Sequence, residues 1–350
     1  ATFQNVVYGQ FGLDGDAGDL QHVCPDWLTA TPFGAAAFLT GDSVLPTADS
    51  YWNEREFLPR VMENYAGSVF FIHGLQDWNV DPHMITPTFQ HLREKGLDVK
   101  GLFGQWGHMY PDRPGEHANL PEGLGAQAFP YSVRYDWAED LLEWFDYYLK
   151  GEGVRPVLKV EVQDNVGRWR VEDTYPPQDT EARELSIEGA VATLQPVGGG
   201  ATYDLGVLDA DNPVALSGHL YLDAAVTPLG ANAQLYFQVN DVDSGYRVAF
   251  GTMDFRFRTE PEAQPVTVPG QAINVRVQSQ PFDFVVPAGH HLELVVMQTG
   301  EGYLPAPTAG AAQFDPAGSM LTVPVLHRGL DAYFTPPIWE GTATASAPQP

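Results

Sequence analysis

The chain has 350 residues, enough for two or three domains with their own cores, and its 44% hydrophobic and 18% charged residues give the balance of a globular protein. Its formal net charge is −27 and its only lysines are Lys95, Lys100, Lys150 and Lys159, which excludes nucleic acid and anionic membrane surfaces as partners, since both demand clustered Lys and Arg. No apolar run reaches the roughly 18 residues of a spanning helix, so no membrane span is expected.

The acidity suits either attraction of cationic ligands, such as peptide N-termini, or a solvated surface. Cys24 is the only cysteine, so no internal disulfide forms and redox logic assigns no compartment. Nothing beside it activates a thiolate, and it reads as an inert thiol rather than a nucleophile.

Residues 1–65 are broken by Gly and Pro and read as an irregular, helical cap or insertion segment. Residues 66–152 change character. Ser68 to His73 is an apolar run suited to a buried parallel strand. A helix follows with Ile85, Phe89 and Leu92 on one face, then a second strand over Val99 to Phe103. Ala138 to Lys150 is predicted as an amphipathic helix with Leu141, Leu142, Phe145 and Leu149 on one side and Glu139, Asp140, Glu143 and Asp146 on the other. Strand, helix, strand, helix is the pattern of an α/β sheet.

Residues 153–350 read as an all-β domain, an antiparallel sandwich of jelly-roll kind. Strands are expected over Val157–Val162, Arg168–Val171, His219–Asp223, Gln234–Val239, Tyr246–Arg258, Ile273–Val277, Phe282–Val286, His291–Met297 and Leu321–Leu326. Turns are expected at Asp241–Gly245 and Pro287–Gly289.

The chemistry gathers at two strand ends. His73-Gly74-Leu75-Gln76-Asp77-Trp78-Asn79-Val80 follows the first strand, and Gly104-Gln105-Trp106-Gly107-His108 follows the second. Open α/β sheets bind ligands beyond the C-terminal ends of their strands. In α/β-hydrolases the triad runs Ser, then Asp or Glu, then His along the chain. Asp77 and His108 have that order and those settings: Asp77 would fix the imidazole tautomer, and His108 would take the proton of a serine. Taken singly, Asp77 reads better as a turn-forming acid and His108 as a surface loop histidine; it is their joint order on consecutive strand ends that favours the catalytic reading. No Gly-x-Ser-x-Gly elbow occurs. Gly41-Asp42-Ser43-Val44-Leu45 lacks the final small residue and a preceding strand, and Ser68, Ser132 and Ser244 have the wrong contexts. The nucleophile is therefore expected upstream of Ala1.

Tyr51-Trp52-Asn53-Glu54-Arg55-Glu56-Phe57, the His73–Val80 motif, Gln105–His108 and Val285-Val286-Pro287-Ala288-Gly289-His290-His291-Leu292 together resemble the Xaa-Pro dipeptidyl-peptidase family. That family sits with the cocaine-esterase-like and α-amino-acid ester hydrolases. The resemblance implies the C-terminal part of an α/β-hydrolase domain with a helical cap segment, followed by a jelly-roll β-sandwich. It implies a serine exopeptidase that releases Xaa-Pro dipeptides from peptide N-termini, with Asp77 and His108 as triad acid and base. Asn79 matches a residue that helps hold the substrate's amino end; Glu54 and Asp49 match, loosely, its carboxylate. The implied partner is the N-terminal half of the same hydrolase, carrying the serine. Self-association as a homo-oligomer stays open.

An ester hydrolase of the same superfamily and a non-catalytic subunit built on this fold are the other readings. No cofactor or metal is expected. Asp14-Gly15-Asp16-Ala17-Gly18-Asp19 resembles a calcium loop but has Pro25 where the closing glutamate belongs. His290 and His291, as neighbours on a strand, point to opposite faces and cannot share an ion.

Overall fold

A computed structural model describes residues 58–77, 80–108, 111–112, 129, 133–258, 268–300 and 309–336. Glu54, Asp49, Asn79, Cys24 and the 14–19 loop lie outside the described residues.

Helix α1 (Leu58–Asn64) leads into strand β1 (Val69–Gly74), helix α2 (Ile85–Glu94) and strand β2 (Val99–Gly104). β1 and β2 are parallel in the register Val69↔Val99 to Gly74↔Gly104, so Asp77 and His108 emerge from the same end of neighbouring strands. The helical turn has a simple cause. Phe89 and Leu92 fall on one side of α2 and bury against the sheet with Phe103, Val160 and Val162. Fully burying each such side chain contributes about 1.5–3 kcal/mol. Val61 and Met62 of α1 pack against the same core.

The sheet does not stop at residue 152. Strand β3 (Val160–Gln163) pairs parallel to β2, strand β4 (Trp169–Glu172) pairs antiparallel to β3, and the short β16 (Tyr333–Phe334) pairs with β4. The order is β1-β2-β3-β4-β16. The segments expected at Val157–Val162 and Arg168–Val171 are thus strands, but of the α/β sheet rather than the sandwich. The loss of long helical periods past residue 151 marks where helices end, not where the sheet ends.

Helix α3 (Trp137–Phe145), continued by a π-turn over Asp146–Lys150, also departs from expectation. Its buried side chain is Trp144, which meets the Phe70 ring at 5.5 Å, while Lys100 pairs with Asp140. Leu142, Phe145 and Leu149 are instead 56%, 44% and 76% exposed. Amphipathic spacing reports which residues share a face; it does not say what covers that face.

The remaining strands are β5 (Glu181–Ser186), β6 (Ala192–Leu194), β7 (Ala201–Val207), β8 (Val214–Gly218), β9 (Tyr221–Pro228), β10 (Gln234–Asp241), β11 (Tyr246–Asp254), β12 (Ile273–Gln278), β13 (Phe282–Val286), β14 (His291–Met297) and β15 (Ala312–Val325). They form a four-stranded sheet, β11-β10-β14-β7, facing a seven-stranded sheet in which β12-β9-β15-β8-β13 run in order and β5 and β6 join β15. Alternate residues fill the space between: Leu235, Phe237 and Val239 from β10, Leu292, Leu294 and Val296 from β14, Leu222, Ala224 and Val226 from β9. The predicted strand Tyr246–Arg258 ends four residues early, in a 3-10 turn over Phe255–Phe257. No helix among the described residues is long and apolar enough to cross a membrane.

Candidate active site

Two glycines let the strand ends close on each other. A Cβ at Gly74 would lie 2.1 Å from the Trp106 carbonyl oxygen, and one at Gly104 would strike the Trp106 ring at 1.8 Å. Without them, the Leu75 N–H donates to Gly104 O at 2.7 Å and the Gln76 N–H to Trp106 O at 3.1 Å. The loop bearing Asp77 is therefore zipped to the loop bearing His108.

The zipper brings together two of the residues singled out from sequence. His108 Nδ1 lies 3.0 Å from Asp77 Oδ2. The Asp77 side chain is 6% exposed and that of His108 is 49% exposed. Asp77 Oδ1 accepts the Val80 N–H at 3.0 Å. A carboxylate accepts only, so the proton of the shared bond sits on Nδ1 and the His108 Nε2 is free to act as a base. The pair opens into a cavity of about 490 Å³ lined by His73, Asp77, Val80, Trp106, His108 and Trp137 among others. That is the size and mostly apolar character of a small-molecule site.

His73 is a member of this site to which sequence reading assigned no role. Its Nε2 lies 3.0 Å from Val80 O and 3.9 Å from Asp77 Oδ2. Burial pushes its pKa down, and the pull of Asp77 in the other direction does not overcome it. A neutral ring donating Nε2–H to Val80 O ties the far side of the acid loop. The sequence signal for it was available: a histidine inside an otherwise apolar strand end.

Ser68 precedes β1 at the end opposite Asp77, and Ser244 bonds Asp241 in a sandwich turn, so neither belongs to this site. Ser43 and Ser132 lie outside the described residues. His290 lies just before β14 rather than on it; its Nδ1 sits 2.9 Å from Asp241, and the His291 Nδ1 sits 3.4 Å from Asp243. Asp241, Asp243 and His290 do bring donor atoms within 4.8 Å of one another, a combination that sequence reading did not weigh. Asp241 already serves His290 and Ser244.

Residues 25–110 match the family "X-Pro dipeptidyl-peptidase (S15 family)" and residues 208–314 match "X-Pro dipeptidyl-peptidase C-terminal non-catalytic domain". An Xaa-Pro dipeptidyl-peptidase of Pediococcus pentosaceus is 26% identical over 143 residues, covering 39% of this chain and 15% of that protein. A Bacillus anthracis counterpart is 22% identical over 299 residues, covering 75% of this chain and 46% of that protein. The chain thus spans less than half the length of the curated relatives it matches. Among solved structures, an aminopeptidase from a marine sediment Thaumarchaeota archaeon superposes with a TM-score of 0.65 at 14% identity, over 92% of this chain and 64% of that one. An α-amino acid ester hydrolase gives 0.65 at 14% identity, over 91% and 64%. The fold is therefore part of an α/β-hydrolase joined to a β-sandwich.

Proposed function

We infer that this chain, which belongs to the Xaa-Pro dipeptidyl-peptidase family, supplies the acid and base of a serine exopeptidase whose nucleophile lies on a polypeptide segment outside these 350 residues. The observation that carries the reading is the 3.0 Å bond between His108 Nδ1 and Asp77 Oδ2 at adjacent strand ends, with the acid buried and the base half-exposed. His108 Nε2 takes the proton of a serine hydroxyl as it attacks the carbonyl carbon of the substrate's proline. It returns that proton to the departing amine, then activates water to release the dipeptide. Asp77 stabilises the imidazolium through both proton transfers. Asn79, beside the acid, and Glu54 or Asp49 hold the substrate's ammonium group.

The partner is the N-terminal half of the same hydrolase. Among the described residues β1 is an edge strand, and its Val69, Phe70, Phe71 and Ile72 are only half-buried. Leu142, Phe145 and Leu149 of the α3 region are exposed as well. An apolar parallel edge and an apolar helical face are what a further strand and its packing layer would cover.

The test is hydrolysis of a chromogenic Gly-Pro substrate by this chain alone and together with the serine-bearing segment. Turnover is expected only from the combination, and only with a free substrate amine. Turnover by the isolated chain that survives His108→Ala would sink the divided triad. Equal cleavage of free and N-acetylated peptides would replace the exopeptidase with the ester or amide hydrolase suggested by the structural likeness to the α-amino acid ester hydrolase.

A further inference from the structure

One buried side chain joins both loops of the site to the β-sandwich. Gln105, 1% exposed, stands three residues before His108. Its backbone N–H donates to Gln163 Oε1 at 3.1 Å. Its carboxamide nitrogen donates twice, to Gln163 O of β3 at 2.9 Å and to Asp283 O of β13 at 3.0 Å. Its carboxamide oxygen accepts from Gln76 Nε2 at 3.1 Å, and Gln76 is the residue before Asp77. The acid loop, the base loop, the α/β sheet and the sandwich thus converge on one amide.

The sandwich end of this connection is anchored in its turn. The Asp283 carboxylate grips Arg170 of β4, with Nη1 to Oδ1 at 2.7 Å, and accepts the Ser217 hydroxyl of β8 at 2.6 Å. Gln280, just before β13, makes a second tie from the acid side. Its Oε1 accepts the His83 N–H at 3.1 Å and faces His83 Nδ1 at 3.0 Å.

We propose that Gln105 is a positioning residue through which the β-sandwich sets the geometry of the Asp77–His108 pair. The inference rests on the reading of that pair as acid and base. A carboxamide with both N–H groups and its oxygen engaged has a single pose, and losing it withdraws a donor from two main-chain carbonyls, those of Gln163 and Asp283, and an acceptor from the Gln76 amide. The loop bearing His108 would then rotate about the zipper at Leu75 and Gln76, and the imidazole would leave the short arc in which Nδ1 meets Oδ2. Misplacement of about 1 Å at a reacting group costs about a hundredfold in rate.

The experiment reads the Asp77–His108 bond directly, without substrate. In the intact chain labelled with ¹⁵N-histidine, the His108 Nδ1 proton is identified by its loss in His108→Gln, and its exchange with water is measured by NMR. Gln105→Met keeps the length and removes every side-chain bond. Gln105→Glu keeps the acceptor for Gln76 but cannot make both donated bonds. Both are expected to speed exchange by about tenfold or more while melting stays cooperative. In the enzyme completed by its serine segment, kcat should fall by a similar factor with KM within roughly twofold.

Wild-type exchange in folded Gln105→Met would overturn the proposal. Wild-type exchange in Gln105→Glu would overturn the sandwich's part in it. If neither variant folds, Gln76→Leu, on a half-buried side chain, breaks the link to the acid loop and must speed exchange in the same way; no change there overturns the proposal too. An unmutated enzyme that leaves Gly-Pro peptides intact would count against the peptidase reading alone, since the exchange measurement involves no substrate.

Discussion

The two oxygens of Asp77 have separate tasks, one holding the Val80 amide and the other the His108 ring. Asp77→Asn leaves an oxygen for the first task and sets an NH₂ group against the Nδ1 proton of the second, which forces the wrong tautomer. Turnover of the complete enzyme is expected to fall by on the order of 10⁴-fold with unchanged circular dichroism; a loss under about tenfold would remove Asp77 from the mechanism. At this scale the sequence was informative where a side chain carries the signal. An acid and a histidine just past consecutive apolar strands announce a paired site, and the structure puts them within bonding distance. It was silent on the Val80 amide, on Gln163 and on Asp283 O, because backbone groups have no sequence signature and glutamines are read as surface residues by default. Asn79, Glu54 and Asp49 lie outside the described residues, so their part is proposed from resemblance.

Strands were more legible by existence than by membership. β13 and β14 fall where alternation and turn residues put them, yet β3 and β4 joined the sheet on the other side of the expected boundary. Local pattern names a strand; pairing is decided by distant residues. α3 repeats the point, since its apolar face is correctly grouped but faces outward. Phe145→Glu with Leu149→Glu should change the stability of the isolated chain by less than about 0.5 kcal/mol, by chemical denaturation, because surface substitutions seldom matter more. The same pair should abolish association with the serine-bearing segment in a pull-down; unimpaired association would locate that partner elsewhere.

His219, before β9, gives an element-scale pH dependence. Its Nδ1 lies 2.8 Å from Ser279 O, and burial pushes its pKa from 6.5 to about 4, with His83 adding to the shift. The folded state thus holds this ring neutral while the unfolded chain takes up a proton. Its contribution is complete above pH 6.5 and is lost progressively as pH falls from there to about 4. His219→Asn keeps a donor toward Ser279 and removes the titration. Between pH 7 and 5 the unmutated chain should lose about 2 kcal/mol more stability than this variant; equal losses would show that His219 does not govern the effect.

At the scale of the molecule, the two parts are joined by buried charge. Arg170 and Asp283 are 1% and 3% exposed, Glu172 bonds Arg170 at 2.6 Å, and Arg328 reaches Glu172 at 2.8 Å. Burial opposes the guanidinium's charge, but Asp283 and Glu172 outweigh it and hold the Arg170 pKa above its usual value. Asp283→Ala should cost about 3–5 kcal/mol in denaturant titration, the usual result of stranding a buried charge; a cost under about 1 kcal/mol would show that water replaces the carboxylate. None of this network was legible from sequence, since Asp283 and Arg328 reach Arg170 and Glu172 from more than a hundred residues away. The short strand β16 carries a further meaning. Tyr333 and Phe334 cross back from beyond the sandwich to complete the five-stranded sheet, and Phe334 packs on the core of Leu102, Trp106 and Trp169. A ribosome must therefore finish the whole sandwich before the sheet beside Asp77 and His108 can close. The two parts are not cassettes that recombination could shuffle between proteins: a gene cut between them would separate the sheet from its own last strand.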